Sequence, residues 1–261
     1  MCGRYATTRA RQELIEEFQV QLDATGDELR PDYNVAPTRM VPAVLTRPPQ
    51  DGAETAEAAV PAGDEPVRQL RALRWGLVPS WAKDVKIGNR MINARAETVH
   101  EKPSYRRAFA KRRCLLPADG FYEWYTSERE GQKPVKQPFF IRPRDGAVMA
   151  MAGLYELWHS PQDEWLWTCT VITTQATDDV GRIHDRMPMV VPPGNWDAWL
   201  DPGLTAVEEV RGLLVPAMSG TMEAYPVSKA VNNVKNNGPE LLQPLADGHI
   251  PGEHSGSGTL F

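Results

Sequence analysis

Hydrophobic and polar positions along this chain predict several short helices. In residues 7–18 the side chains of Leu14, Ile15 and Phe18 fall on one face at helical spacing, so we predict a first helix. Thr7 or Thr8 is the expected N-cap of this helix, because both side chains can accept a backbone hydrogen bond. Further short helices are predicted in residues 104–113, 195–200 and 204–214.

The middle of the chain is rich in strand-like runs. Apolar and β-branched residues form segments bounded by turn residues, and residues 31–47 are predicted to be a loop that enters a strand. The other predicted strands lie in residues 67–79, 138–143, 148–158 and 164–174. Helices do not alternate with these strands, which disfavours a doubly wound parallel sheet. We therefore predict an α+β fold with a curved, mainly antiparallel sheet.

Two segments lack the apolar residues that a packed core needs. Residues 48–66 contain five acidic residues, no basic residue and no aromatic residue, so we predict a mobile acidic insertion in a long hairpin loop. Residues 245–261 are rich in Gly and Ser and are predicted to form a flexible C-terminal tail.

Composition places the chain among ordinary globular proteins. Of its 261 residues, 41% are hydrophobic and 24% are charged. The sequence has no run of 18 apolar residues, which argues against a membrane span, and its first residues do not resemble a signal peptide. We therefore expect a cytoplasmic protein that does not enter a membrane.

The charge is unevenly distributed. The chain has a net charge of −5, yet residues 70–113 hold twelve Lys or Arg residues and three acidic residues, a local net charge of +9. Such a segment fits a phosphate-binding surface, and it equally fits a solvated face laced with salt bridges. Charge alone leaves both interpretations open.

The three cysteines, Cys2, Cys114 and Cys169, fall into two groups. An odd number without a C-x-x-C pair argues against a disulfide framework and against a zinc site. Cys114 and Cys169 lie in apolar strand-like runs, so we interpret them as small buried hydrophobic residues. Cys2 lies at a chain end, where residues are usually mobile and solvated.

Removal of Met1 would give Cys2 a free α-amine beside its thiol. In model compounds the amine has a pKa of about 7.7–8.0 and the thiol one of about 8.5, so both have reactive fractions near neutral pH. An amine condenses with an aldehyde to an imine, and a neighbouring thiol can close a thiazolidine ring. The alternative is a chance cysteine on a frayed end.

Three further stretches hold candidate site residues. Glu123 lies among aromatic residues that can raise the pKa of a carboxyl and suit it to acid or base catalysis. The other candidates are Asn93 and Arg95 in residues 91–98, and His184, Asp185 and Arg186 in residues 181–192. Each has a structural alternative, such as a carboxyl that reaches the surface or a His–Asp hydrogen bond.

Seven motifs together carry more information than any one of them. They are MCGRYA, YNVAPT, WGLVPSWA, NARAET, GFYEW, IHDRMP and VSKAVNNVKNNGPEL, in this order. In motif order and spacing the chain resembles the SOS response-associated peptidase (SRAP) family, from residue 2 to about residue 244. The resemblance implies a single domain over residues 2–244, with a strongly curved, barrel-like, mainly antiparallel sheet and flanking short helices.

The same resemblance implies covalent capture of abasic sites in single-stranded DNA, which protects the lesion during replication. Cys2 would then be the crosslinking residue, Asn93 would orient the terminus and the sugar, and Glu123 and His184 would act on the protons of the sugar. Positions matched to DNA contacts are Arg4, Asn34, Pro37, Trp81, Arg95, Thr173 and Arg186. Family members often have a second bulky side chain where this chain has Ala82, so weaker stacking is expected here.

The resemblance requires no metal and no organic cofactor, and we expect a monomer that associates with the nucleoid when bound to DNA. The family name implies a peptidase activity, for which self-removal of Met1 is one form. Two alternatives remain: a thiol peptidase that uses Cys2 and His184, and a module that binds single-stranded DNA without a covalent bond. The first would require an oxyanion hole and release of product.

Overall fold

The computed structural model describes residues 2–26, 29–49, 65–127, 134–218 and 220–245. The strands in this part of the chain are β1 Tyr5–Thr7, β2 Leu22–Ala24, β3 Asp32–Val35, β4 Met40–Arg47, β5 Val67–Trp75, β6 Asn93–Arg95, β7 Arg113–Ala118, β8 Gly120–Ser127, β9 Val135–Pro143, β10 Met149–His159, β11 Trp165–Gln175, β12 Arg186–Pro188 and β13 Met222–Pro226. The α-helices are α1 Arg11–Glu17, α2 Arg106–Lys111, α3 Asp178–Ile183, α4 Trp196–Leu200 and α5 Val207–Gly212. Short 3₁₀ helices cover Val85–Arg90, Pro193–Asn195, Lys229–Asn232 and Pro239–Leu242.

Five strands close into a barrel. Strand β7 pairs with β4 and β10, β10 pairs with β11, and β4 pairs with β5, all antiparallel. A parallel pairing of β5 with β11, at Thr168↔Arg74 and Cys169↔Trp75, completes the ring. The short strands β2 and β6 add parallel pairings to β5 and β11. The prediction of an α+β fold with a strongly curved, mainly antiparallel sheet and short flanking helices is therefore confirmed.

The alternation of side chains along each strand separates two apolar layers. In β4, Val41 and Leu45 are fully buried and pack inside the barrel, in the same cluster as Cys114 and Cys169. Val44 points the other way and packs with residues of the helices that cover the outer face of the barrel. The prediction that Cys114 and Cys169 are buried is confirmed, and neither forms a disulfide.

A second sheet carries the start of the chain. Its strand order is β13-β9-β8-β1-β3, so β1 lies between β8 and β3. Tyr5 pairs with Phe121 on one side and with Val35 on the other. Because these pairings hold the backbone on both sides, the residues just before β1 are fixed against the barrel, and Cys2 is 0% exposed.

Two local predictions need correction. Helix α1 begins at Arg11, Thr7 lies in β1, and the backbone N–H of Ala10 donates to the Glu13 carboxylate at 2.8 Å, so the predicted Thr7 or Thr8 cap is wrong. The local sequence does not show that β1 extends through Thr7, since that pairing is tertiary. In residues 31–47 the expected loop contains strand β3.

Residues 48–66 connect the two strands of a hairpin, as predicted. Strands β4 and β5 are antiparallel and their pairing extends to Arg47↔Val67, immediately beside this connection. The predicted mobility concerns residues 50–64, which lie outside the described residues, as does the predicted tail from residue 246 onward. Within the described part of the chain, none of the helices has the length and apolar character needed to cross a membrane.

Candidate functional site

Cys2 lies in the apolar interior of the fold. Its side chain is 0% exposed, and its backbone carbonyl accepts a hydrogen bond from Asn93 Nδ2 at 2.7 Å. Burial raises the pKa of the Cys2 thiol, and the nearby charge of Glu123 raises it further, whereas a hydrogen bond from the Arg4 backbone lowers it. The thiol is therefore protonated at neutral pH. The alternative of a cysteine on a frayed chain end is wrong.

Asn93 is held by the edge of the barrel. It begins β6, which pairs with β11 at Val171↔Asn93. The Tyr105 hydroxyl donates to the Asn93 carbonyl at 3.3 Å, and burial raises the pKa of Tyr105 to about 12, so it stays a donor. The Asn93 Oδ1 atom is buried and accepts no hydrogen bond within the described residues. The Asn93 side chain thus presents an acceptor, Oδ1, while its Nδ2 atom binds the Cys2 backbone.

Glu123 is a buried carboxyl next to the terminus. It lies in β8 opposite Phe139 and is 4% exposed. Burial raises its pKa, and the positive charges of the chain's α-amino group and of protonated His184 partly offset this effect. The raised pKa predicted from the aromatic neighbours is confirmed. Helix α3, which His184 follows, packs against β8, which carries Glu123, and the charge of Glu123 in turn raises the pKa of the Cys2 thiol, so these three side chains lie around one region.

His184 follows α3 and is partly exposed. Its Nδ1 atom accepts a hydrogen bond from the Arg186 backbone N–H at 3.0 Å, and it lies 2.9 Å from Asp185 Oδ1. The first contact requires a neutral ring with its proton on Nε2, and the second stabilises the protonated ring. Both contacts are made by the Nδ1 atom, so together they fix the orientation of the imidazole ring. The predicted structural His–Asp contact is therefore present.

Arg186 and Thr173, both matched to DNA contacts, are buried in this structure. Arg186 is 8% exposed, and its guanidinium donates to both Glu97 oxygens at 2.6 and 3.0 Å and to the Thr173 carbonyl at 2.6 Å. Thr173 is 1% exposed. Glu97 was not among the predicted site residues, although its position in the NARAET motif could have indicated it. A phosphate can reach the Arg186 guanidinium only if Glu97 moves aside.

Arg4 and Asn34 hold a loop against the site. Arg4 donates to Asn34 Oδ1 at 2.6 Å and to the Val231 carbonyl at 2.8 Å. Asn34 is 3% exposed, and its Nδ2 atom donates to the carbonyls of Val231, Asn233 and Asn236. Both side chains therefore have a structural role that the sequence did not show, in addition to their predicted contact with DNA.

Other residues matched to DNA contacts are accessible. The Trp81 side chain is 61% exposed, Arg95 is exposed and Pro37 is half-buried. Trp158 Nε1 donates to the Ala82 carbonyl at 2.8 Å and fixes the turn that presents Trp81. Trp81 therefore offers an aromatic face to a base without support from a second ring at position 82.

The positively charged segment of residues 70–113 contains both exposed basic residues and basic residues with a structural role. Its exposed members are Lys83, Lys86, Arg90, Arg95, Lys102, Arg106, Arg107 and Lys111. Arg113 is 3% exposed and donates only to backbone carbonyls, those of Phe109, Ala110, Trp199, Asp201 and Leu204. Arg112 forms an ion pair with Glu156. These two residues must be removed from the predicted phosphate-binding surface, because other groups of the protein hold them.

The chain is 40% identical over 250 residues to the abasic site processing protein YoaM of Bacillus subtilis, covering 96% of this chain and 100% of YoaM. It is 35% identical to the abasic site processing protein HMCES of Gallus gallus, covering 86% of this chain and 69% of that protein.

A solved structure of a protein from Bacteroides thetaiotaomicron has a TM-score of 0.72 and 24% identity, covering 94% of this chain and all of that one. This likeness shows the same fold. Residues 1–234 match the family described as SOS response associated peptidase (SRAP). Because this match extends over residues 1–234 of the 261, the chain belongs to the SRAP family.

Proposed function

We propose that this protein captures abasic sites in single-stranded DNA through a covalent bond to Cys2. The observation that carries the proposal is the grouping of Asn93, Glu123 and His184 around the second residue of the chain. The names of its relatives, which are abasic site processing proteins, support the same substrate. Removal of Met1, by the protein itself or by a cellular aminopeptidase, supplies the free amine.

The reaction uses the amine and the thiol of one residue. The Cys2 amine adds to the C1′ aldehyde of the ring-opened sugar and one water leaves, which gives an imine. The Cys2 sulfur then adds to the imine carbon, and the thiol proton ends on the nitrogen. The product is a thiazolidine, and the net change is condensation with loss of one water.

Proton transfer must open the sugar before it reacts. An abasic deoxyribose is mostly a closed hemiacetal, so a base must take the proton of its C1′ hydroxyl while an acid protonates the ring oxygen. Glu123, whose pKa is raised by burial, can serve as the acid, and the imidazole of His184 can take part in the second proton transfer. The pairing of a carboxyl and an imidazole around one substrate is a common acid–base arrangement.

Asn93 orients the reacting terminus. Its Nδ2 atom already holds the Cys2 carbonyl, and its buried Oδ1 atom lacks a described donor. After Met1 is removed, the new α-amine can donate to this oxygen. The amine is then fixed in one direction, which lowers the entropic cost of its attack on the aldehyde.

The exposed residues of the site would hold the strand. Trp81 can stack on a base, and Arg95 with the exposed basic residues can contact phosphates. These contacts bind single strands of any sequence, because phosphate carries no base information. We further propose a monomeric protein of the cytoplasm that associates with the nucleoid through this binding, which size-exclusion chromatography with and without oligonucleotide would test.

Two variants of the terminus test the mechanism. An N-terminal extension that cannot be trimmed keeps the Cys2 thiol but places its amine in a peptide bond, so it should abolish the stable crosslink. Cys2→Ser with Met1 removed keeps the amine and should give a covalent band on a denaturing gel only after borohydride reduction. Cys114→Ser is the matched control, because this buried thiol has no α-amine on its own residue.

A thiol-only mechanism predicts the opposite pair of results. Crosslinking would survive the extension, and the serine variant would give no band even with borohydride. The thiol pKa argues against a peptidase that uses Cys2 and His184, because such enzymes need a lowered thiol pKa, whereas burial raises that of Cys2. A purely non-covalent module predicts salt-sensitive binding and no band for the wild type.

A further inference from the structure

A groove of about 570 Å³ lies between β3, β4 and the loop that follows Val231. Its walls carry three basic side chains, Arg30, Arg39 and Lys235, all of them exposed. Two apolar side chains, Met40 and Val234, also line it and are 40% and 46% exposed. None of these five residues was matched to DNA contacts, so the groove is separate from the positions already assigned.

The cations of this groove are not used inside the fold. Within the described residues, no ion pair or hydrogen bond involves the side chain of Arg30, Arg39 or Lys235. Asp32 is the one carboxylate among the residues that line the groove, and it accepts the Asn34 backbone N–H at 2.8 Å. The groove therefore keeps a surplus of positive charge that faces solvent, and a polyanion complements it.

The groove lies near the candidate site along the first strand. Thr7 lines the groove at the end of β1, five residues after Cys2, a span of about 17 Å for extended backbone. The opposite wall is the loop that carries Val234 and Lys235, which the Asn34 amide holds through three carbonyls. The residues that support the site on one side thus shape the groove on the other.

A turn with a strained backbone precedes Arg39 and Met40, two of the residues that line the groove. Thr38 has a φ of 74°, which is a genuine outlier for a β-branched residue. Its N–H donates to the Trp75 carbonyl at 2.8 Å, and this bond ties the turn to the barrel. The chain therefore keeps an unfavourable backbone conformation at the point where Arg39 and Met40 enter the groove, which is typical of functional positions.

We propose that this groove holds the single strand on one side of the captured nucleotide. Arg30, Arg39 and Lys235 contact successive phosphates, and Met40 and Val234 pack against base faces. Alternating cations and exposed apolar groups suit a strand with unpaired bases better than a duplex, whose base faces are stacked inside. The inference rests on the proposed capture of abasic DNA and adds the path of the strand.

The first test measures non-covalent binding of an undamaged single strand by fluorescence anisotropy. Replacing both Arg39 and Lys235 by Ala should weaken binding on the order of tenfold and reduce the salt slope by about 1.4, since each phosphate contact on a single strand contributes about 0.7. A matched control replaces Lys136 and Arg211, two exposed basic residues of β9 and α5, and should leave the slope unchanged.

The second test uses oligonucleotides with the abasic site at the 5′ end, at the 3′ end or in the middle. Wild type should crosslink more slowly when the arm that occupies the groove is missing, and the double variant should lose this dependence on one arm only. An unchanged salt slope together with an unchanged arm dependence would overturn the proposal and leave the groove to an acidic protein partner. If wild type forms no covalent complex, the proposed function fails instead, while the anisotropy test still decides on the groove.

Discussion

Glu123→Gln should make the protein more stable and less active at the same time. The carboxyl is 4% exposed, and burial raises its pKa although the α-amino group and protonated His184 partly compensate. A raised carboxyl pKa means that the folded state binds the proton more tightly than the unfolded state does. The resulting stability is present below the ordinary value of 4.5 and is lost as the pH rises through the folded pKa.

The neutral amide removes this loss and keeps the shape of the side chain. We expect a gain of about 1 kcal/mol at pH 8, or roughly 3 °C in Tm for a protein of this size. The gain should disappear as the pH approaches 4.5, where the wild-type carboxyl is also protonated. Crosslinking should slow by about 10²-fold because an acid is lost, while DNA affinity stays within about twofold.

Scanning calorimetry from pH 4.5 to 8 and a denaturing-gel time course measure the two effects. Glu156→Gln is the matched control, since Glu156 is also buried but pairs with Arg112 at 2.6 Å. Breaking that pair should lower the Tm at pH 8 and leave crosslinking unchanged. A Tm of Glu123→Gln below that of wild type at pH 8, or a wild-type crosslinking rate, would refute the reasoning.

Three further perturbations address the DNA surface and the insertion. Glu97→Gln should release Arg186 for a contact with a phosphate, so the affinity for single strands should rise and the salt slope should steepen by about 0.7. Weaker binding would instead show that Glu97 positions Arg186. Arg95→Ala should weaken binding to all single strands equally and reduce the slope by about 0.7 without a change in Tm, and an untouched slope would remove Arg95 from the DNA contacts. Deletion of residues 50–64 should leave the crosslinking rate and the Tm near wild type. A large loss of either would show that the insertion contributes to crosslinking or to stability.

The sequence predicted what depends on local pattern. Apolar residues that recur every two residues or about every four residues located most strands and helices. The aromatic neighbours of Glu123 indicated that its pKa is raised. The start of α1 was misplaced because Thr7 is held in β1 by pairing to distant strands. Closure of the barrel by β5 and β11 was likewise invisible, since nothing local marks a parallel pairing between segments about 90 residues apart.

The candidate site was predictable in its members and not in their contacts. Motif order indicated Cys2, Asn93, Glu123 and His184. In the structure Asn93 binds the Cys2 carbonyl, and the charge of Glu123 affects Cys2 while that of His184 affects Glu123. It did not indicate that Glu97 holds Arg186, because a salt bridge between residues 89 positions apart leaves no periodic signal. Burial of Arg113 was missed for the same reason, since its partners are backbone carbonyls that any sequence provides.

The contact from Arg4 to the Val231 carbonyl has a consequence for biosynthesis. The two residues are 227 positions apart, so the start of the chain cannot take its final place until nearly all of it has been made. At about 5–20 residues per second, the terminus stays accessible for roughly 10–50 s after it leaves the ribosome. Removal of Met1 by a cellular enzyme belongs to this interval, because folding afterwards buries Cys2 completely. Mass spectrometry of chains stalled before residue 231 should already show the trimmed terminus, whereas an intact Met1 there would require self-removal after folding.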